Sequence, residues 1–355
     1  MASIDQTLNI SDPVLPVGSL ILVTGANGYL GSHVVDQLLK LGYKVRGSVR
    51  DIGRSQWMTE YFSKYGKENL ELVIVDDFSA TDAYDEALKG VAGVVHVASV
   101  LSMSPVAEEV IPPVIAATVN IYKAASKVPT VKRFVLTSSS AAAYMPVQGT
   151  KNVLGENSYN ELAIGVSKSL KEPFPPEAGF MNYMASKALG ERELWKVSKE
   201  SNSDIVVNTV LPNWILGHVL HPAQGAPSSA GIYKGLIAGQ YKEYFSFIGP
   251  QWTIDVQDAA RLHVAGLLLP DVEGERLWAF GERFSYVSEL ALMRKVFPEY
   301  EERYPETVEG MEEWWDESVV PNERAEELLR GMGVDGWTRQ ETMVRRMKET
   351  IYKDI

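Results

Sequence analysis

The chain has 355 residues, 45% of them hydrophobic, and 34 basic against 46 acidic side chains leave a net charge of -12. That balance argues against nucleic acid or an anionic membrane surface as a partner, and the absence of cysteine excludes disulfides, thiolate metal ligands and cysteine nucleophiles. MASIDQTLNISDPVLPVGS at the start has no basic n-region, and no run approaches the ~18 apolar residues of a membrane span, so a cytoplasmic globular protein is expected.

Apolar runs of strand length then alternate with helical patterns, as in a Rossmann-type doubly wound parallel sheet of the α/β class. Leu20 to Thr24 is the first expected strand, followed by TGANGYLG and a helical stripe of Leu30, Val34, Leu38 and Leu41 that stops at Gly42. In that loop Gly25 permits a tight turn, Gly28 lets backbone N–H groups approach a pyrophosphate, and Gly31 lets the helix pack close on the strand. Gly25, Asn27, Gly28, Tyr29, Leu30 and Gly31 are therefore expected to hold a dinucleotide at a helix N-terminus. Lys44 to Val49 is the second strand, and alternation along KVRGSVRD makes Arg50 emerge where the 2′-phosphate of NADP would sit. Asp51 follows directly and is the competing signal, since a carboxylate there would accept the ribose hydroxyls of NAD.

Leu70 to Val75 is the third strand, with Asp77 and Phe78 after it placed to meet adenine; a capping or turn role for Asp77 is the equal alternative. Val94 to Ala98 gives the fourth strand, Ile111 to Lys127 a helix, and Phe134 to Thr137 the fifth strand, with the serine run Ser138 to Ser140 at its end. Gln148 to Gly179 is long and polar and reads as either a flap or a passive surface loop. Tyr183 to Lys199 is a helix on which Tyr183 and Lys187 share one face. An ammonium beside a phenol stabilises the phenolate, so this pair forms an acid/base device although an unperturbed tyrosine titrates near about 10.

Ile205 to Leu211 is the sixth strand, after which an aromatic, Gly/Ser/Pro-rich stretch runs from Pro212 to Gly249. An amphipathic helix is expected from near Asp255. The division that follows is a dinucleotide domain over 1–211, rejoined by 250–270, and a substrate domain over 212–249 and 271–355. Nine acidic residues between Glu299 and Glu317 read as a solvated face with aromatic anchors. Thr338 and Glu341 have capping-box spacing ahead of a Val344, Met347, Ile351 stripe. His33, His96 and His263 read as structural, and Thr118 and Asn120 as packing or capping residues.

VLPVGSLILVTGANGYLGSHVVDQLLKLGYKVRG, VKRFVLTSS, YMASK and LPNWILG together make the chain resemble the extended short-chain dehydrogenase/reductases. Within them it is similar to fungal NADPH-dependent aldehyde reductases and ketoreductases, with plant dihydroflavonol reductases more distant. The resemblance implies Ser139, Tyr183 and Lys187 as the catalytic group, with Ser140 the second choice for the serine. It further implies NADPH as cofactor, Arg50 as its 2′-phosphate ligand, Ala98, Ser99, Pro212 and Ser228 along its path, and no metal. In this scheme the substrate carbonyl sits between the Ser139 and Tyr183 hydroxyls, and Tyr183 acts as general acid.

The stretch from Pro212 to Gly249 has no arginine but carries Trp214, Tyr233, Tyr241, Tyr244, Phe245 and Phe247, a composition suited to an apolar or aromatic carbonyl compound. Trp214, Ser139 and Tyr183 are the expected pocket residues. Two alternatives stand beside this: an NAD-dependent sugar-nucleotide epimerase or dehydratase of the same superfamily, and a non-enzymatic NADP-binding regulator.

Overall fold

The computed structural model describes residues 6–240, 249–306 and 314–351. Among them, seven parallel strands form the main sheet: β1 (Leu20–Thr24), β2 (Lys44–Val49), β3 (Leu70–Ile74), β4 (Gly93–His96), β5 (Arg133–Thr137), β6 (Val206–Pro212) and β9 (Arg276–Ala279). Their order is β3-β2-β1-β4-β5-β6-β9. A small second sheet has the order β10-β8-β7, built from β7 (Trp214–Leu216), β8 (Gln251–Asp255) and β10 (Glu282–Phe284).

Both faces of the main sheet are covered, which is why its strands read as continuous apolar runs. Ile21, Val23, Val95, Val135 and Val210 pack into one layer with α1 (Tyr29–Lys40) and α8 (Val256–Leu268). Leu22, Val94, Phe134 and Leu136 pack into the other with α3 (Ala107–Ala125) and α6 (Ala178–Glu200). Strand order reverses between β1 and β4, so a crevice opens beyond their C-terminal ends, the place where ligands bind in such sheets.

The chain departs from the sequence reading in several places. Segment 271–355, expected to lie wholly in a substrate domain, sends β9 back into the main sheet, where it pairs with β6 from Thr209 and Arg276 to Pro212 and Ala279. RLWA is short and opens on a charged residue, which masks it as a strand. Of 250–270, α8 returns to the main sheet while β8 belongs to the small one. Asp255 is the N-cap of α8, its carboxylate accepting from the Gln257 N–H at 2.9 Å.

The capping box expected at Thr338 is not formed. The last helix, Gln340–Ile351, begins where the Gln340 N–H donates to the Glu282 carboxylate at 2.7 Å, and the Thr338 N–H donates to Asp258 at 2.8 Å. Glu341 pairs instead with Lys295 and Arg345, so distant carboxylates displace the local cap. Val344 and Met347 are buried as expected, and the side chain of Ile351 lies outside the described residues. Between Gln148 and Gly179 the chain forms a helix, Glu161–Ser169, capped by Asn160 and packed on α6. The segment is therefore not a bare loop, and Glu177 near its C-terminal end lines a cleft described below.

Candidate active site

Tyr183 and Lys187 lie mid-helix on α6, one turn apart. Ser139 leaves β5 in extended backbone and caps the single-turn helix α4 (Ser140–Ala143), its Oγ accepting from the Ala141 N–H at 3.2 Å. Of the three serines, Ser139 is the one whose hydroxyl acts on the Tyr183 phenol. Ser138 donates to Glu191 at 2.6 Å in the interior, and Ser140 opens α4.

The electrostatics differ from the simple lysine-beside-tyrosine expectation. Burial pushes the Tyr183 phenol above its usual value, and the hydrogen bond with Ser139 works against that rise. Lys187 directs its Nζ at the Thr137 carbonyl, 3.5 Å away. Burial pulls this ammonium down to about 8, opposed by the Glu191 carboxylate one turn further along α6.

A cleft of about 350 Å³ lies at the β1/β4 switch point. It gathers Gly25, Asn27, Gly28, Tyr29, Leu30 and Gly31 from the loop, Arg50 from the end of β2, Phe78, Ala98 and Ser99, and Ser228 at the start of α7 (Ser228–Ile237). Pro227, Ser229 and Ile215, together with Ser48, Val49, Val75, Tyr84, Val97 and Leu101, also line it and were missed in the sequence, because no local motif marks them. Gly25 has φ +61, and a Cβ at Gly31 would stand 2.2 Å from the Gly25 carbonyl oxygen, so neither position tolerates a side chain. The cradle fits a dinucleotide with its pyrophosphate over the first turn of α1.

Arg50 is exposed, and among the described residues no carboxylate pairs with it. Asp51, its competitor, is occupied as the N-cap of α2 (Ile52–Tyr61), accepting from the Arg54 N–H at 3.2 Å. Asp77 forms a turn, accepting from the Ser79 N–H at 3.1 Å and the Ser79 hydroxyl at 2.6 Å. These bonds hold its carboxyl below the usual range, while it lines an adjoining cleft with Arg50 and Phe78. Pro212 ends β6, buried at the edge from which the crevice opens.

A second cleft, of about 260 Å³, is lined by the chain neighbours of Ser139 and Tyr183, Ser140 and Met184 among them, although neither Ser139 nor Tyr183, both expected in the pocket, is itself part of this lining. Ser140, Tyr144, Met145, Phe180, Met181, Met184, Asn213 and Gln251 line it, with Tyr286 from the segment after β10. Trp214, expected here, is not part of this lining: it lies in β7 with its ring edge-on to Phe284, centroids 5.8 Å apart. Its neighbour Asn213, between β6 and β7, lines the cleft instead. Tyr233 is buried in the core and donates to Glu289, and Tyr241, Tyr244, Phe245 and Phe247 lie outside the described residues.

The three histidines are interior groups. His96 bonds Thr24 at 2.8 Å, His263 bonds Thr137 at 2.7 Å, and His33 bonds the His218 carbonyl at 2.9 Å. Burial lowers all three, to about 3, 4 and 3 respectively, so they stay neutral near pH 7. Thr118 bonds the Val114 carbonyl and Asn120 the Ser79 carbonyl, as packing and capping groups do.

Fold and site together define a dinucleotide-dependent oxidoreductase. Residues 21–238 match the model of the NAD dependent epimerase/dehydratase family, and the chain belongs to that family, within the extended short-chain dehydrogenase/reductases. It is 35% identical over 342 residues to aldehyde reductase 2 of Sporidiobolus salmonicolor, covering 95% of this chain and 97% of that one. It is 41% identical over 330 residues to ketoreductase adrE of Penicillium rubens, covering 92% and 94%. Among solved structures it shares its fold with yeast methylglyoxal/isovaleraldehyde reductase Gre2 complexed with NADPH, at a TM-score of 0.78, 23% identity and coverage of 94% and 98%. No described helix is long and apolar enough to cross a membrane.

The buried pair carries a pH signature. Lys187 loses its proton as pH rises through about 8, whereas burial keeps Tyr183 protonated beyond that point. The value of kcat/KM for the cofactor, which reports groups of the free enzyme, is therefore expected to fall above pH 8; a flat profile to about pH 10 would contradict this assignment.

Proposed function

We propose that this chain is an NADPH-dependent carbonyl reductase that converts apolar or aromatic aldehydes and ketones to alcohols, with Tyr183 as general acid. The observation that carries the reading is the convergence of Ser139, at the end of β5, and Tyr183 of α6, with Lys187 one turn further along that helix: Lys187 shares a small recess with Ala98 and Ser99 of the dinucleotide cleft, and Ser140 and Met184, next in the chain to Ser139 and Tyr183, line the apolar cleft. The names of the relatives support carbonyl reduction as the activity. The proposal includes a cytoplasmic location.

The glycine loop and Arg50 would hold the cofactor, and bound NADPH supplies hydride to the carbonyl carbon. Ser139 and Tyr183 direct two hydroxyl donors at the position of the carbonyl oxygen, where negative charge grows as that carbon is reduced. Tyr183 Oη then gives up its proton to the forming alkoxide. A phenol raised by burial is well suited to this direction, because it remains a loaded acid throughout the neutral range. Lys187 holds positive charge behind the pair and limits the cost of the transient phenolate.

The apolar cleft supports the substrate class. Three methionines, a phenylalanine and two tyrosines supply adaptable hydrophobic surface, and no arginine or lysine is among its described lining residues. The carboxylate of Glu177 would oppose a diphosphate there, which weighs against the sugar-nucleotide alternative.

Purified protein mixed with NADPH and a panel of aliphatic, aryl and β-keto carbonyl compounds is expected to oxidise the cofactor. Tyr183→Phe should lower turnover by about 10²–10⁴-fold while leaving NADPH affinity nearly intact, and a variant within a few-fold of wild type would end the mechanism. Arg50 sets the cofactor choice through a charge-assisted bond of about 1.5–3 kcal/mol. NADPH is thus expected to bind at least about 10-fold more tightly than NADH, and Arg50→Glu to collapse or reverse that preference. An unchanged ratio would assign the choice to another group.

A further inference from the structure

Tyr144 is five positions beyond Ser139 and forms part of the wall of the apolar cleft. Its ring stacks on Phe280 at 6.2 Å, and its hydroxyl donates to the Asp316 carboxylate at 2.5 Å. Asp316 belongs to the acidic segment that the sequence places on a solvated face, yet it is only 2% exposed. Its other oxygen accepts from the Ser318 N–H at 3.0 Å, so the carboxylate is held from both sides. The same short segment touches the opposite wall. The Trp314 ring meets Tyr286 edge-on at 6.5 Å and lies close to Gly249, and both of those residues line the cleft. Two residues after Asp316, the Ser318 carbonyl accepts from Arg283 at 2.8 Å, and Val319 bridges to Val153.

From this arrangement, and resting on the carbonyl-reductase reading above, we infer that residues 314–319 form a strap across the substrate cleft and that Asp316 is a positioning residue for substrate specificity. Asp316 fixes the Tyr144 ring beside the catalytic serine, and Trp314 fixes Tyr286 across from it, so the strap sets the width of the space in which the carbonyl substituents lie. A burial of this depth costs a carboxylate several kcal/mol unless its bonds are made, which makes one Tyr144 rotamer strongly preferred. Bulky aryl ketones feel that wall; short aldehydes, which occupy only the region next to Ser139 and Tyr183, do not.

The test compares kcat/KM for an aryl ketone and for a short aliphatic aldehyde with NADPH. Asp316→Ala is expected to change the ratio of the two by about 10-fold or more, whereas Asp316→Asn, which keeps an acceptor oxygen for Tyr144, should stay within about 3-fold of wild type. Tyr144→Phe, which keeps the ring and removes its bond, should move the ratio in the same direction as Asp316→Ala and covers the case in which the alanine variant does not fold. An unchanged ratio in a folded Asp316→Ala or Tyr144→Phe protein, or an equal fall for both substrates, would overturn the inference and leave Asp316 a structural residue. A wild type that reduces neither compound would instead defeat the carbonyl-reductase reading.

Discussion

Arg276 on β9 grips both oxygens of Glu191 on α6, with Nε 2.7 Å from one and Nη2 3.2 Å from the other, in a site from which water is excluded. Glu191 also accepts from Ser138, Thr209 and Trp195, so a single carboxylate ties α6 to the end of β5 and the middle of β6. Arg276 in turn caps the carbonyls of Glu156 and Ser158, fixing the segment that approaches the apolar cleft. A buried pair of this kind adds little net stability but costs about 3–5 kcal/mol to break, because the remaining charge is left uncompensated. Its value here is positional. Lys187 lies one turn before Glu191 and Ser139 one residue after Ser138, so the side chains proposed for catalysis inherit their places from the pair.

The two clefts, one for the dinucleotide and one proposed for the substrate, differ in character, and the difference follows from what builds them. The dinucleotide side is made of backbone at a helix N-terminus, with glycines where a Cβ would collide and, at its rim, the Arg50 guanidinium, which no carboxylate among the described residues pairs with. Ser228, at its far wall, has φ +48, a left-handed conformation that a non-glycine residue holds only when its surroundings impose it. The substrate side is made of side chains drawn from distant segments, and methionines there can repack around different shapes. A narrowly defined cofactor and an adaptable substrate space are the combination expected of a reductase with a fixed hydride source and varied carbonyl partners.

Much of this was legible in the sequence because it is local. Six strands of the sheet announce themselves as apolar runs, the glycine loop stands directly after the first, and Tyr183 and Lys187 share a helical face by spacing alone. What stayed hidden depends on long-range contacts. RLWA is too short, and opens on a charged residue, to show as a strand until β6 pairs with it, and the cap of the last helix comes from Glu282, far away in sequence. Trp214 looked like a pocket residue because aromatics near an active site often are; its place against Phe284 is visible only once β7 is known to pair with β8. Asp316 looked solvated because its neighbours are acidic, and its burial depends on a bond from a tyrosine 172 positions away.

The central claim is direct hydride delivery to a carbonyl carbon that ends up as an alcohol. It is tested by incubating the protein with NADPH deuterated on the transferred face of C4 and an aryl ketone, then locating the label in the product by NMR and mass spectrometry. The account predicts one deuterium at the carbinol carbon, with cofactor oxidised in equal amount to alcohol formed. Product without the label, or a cofactor that is not consumed across the carbonyl panel, would contradict it.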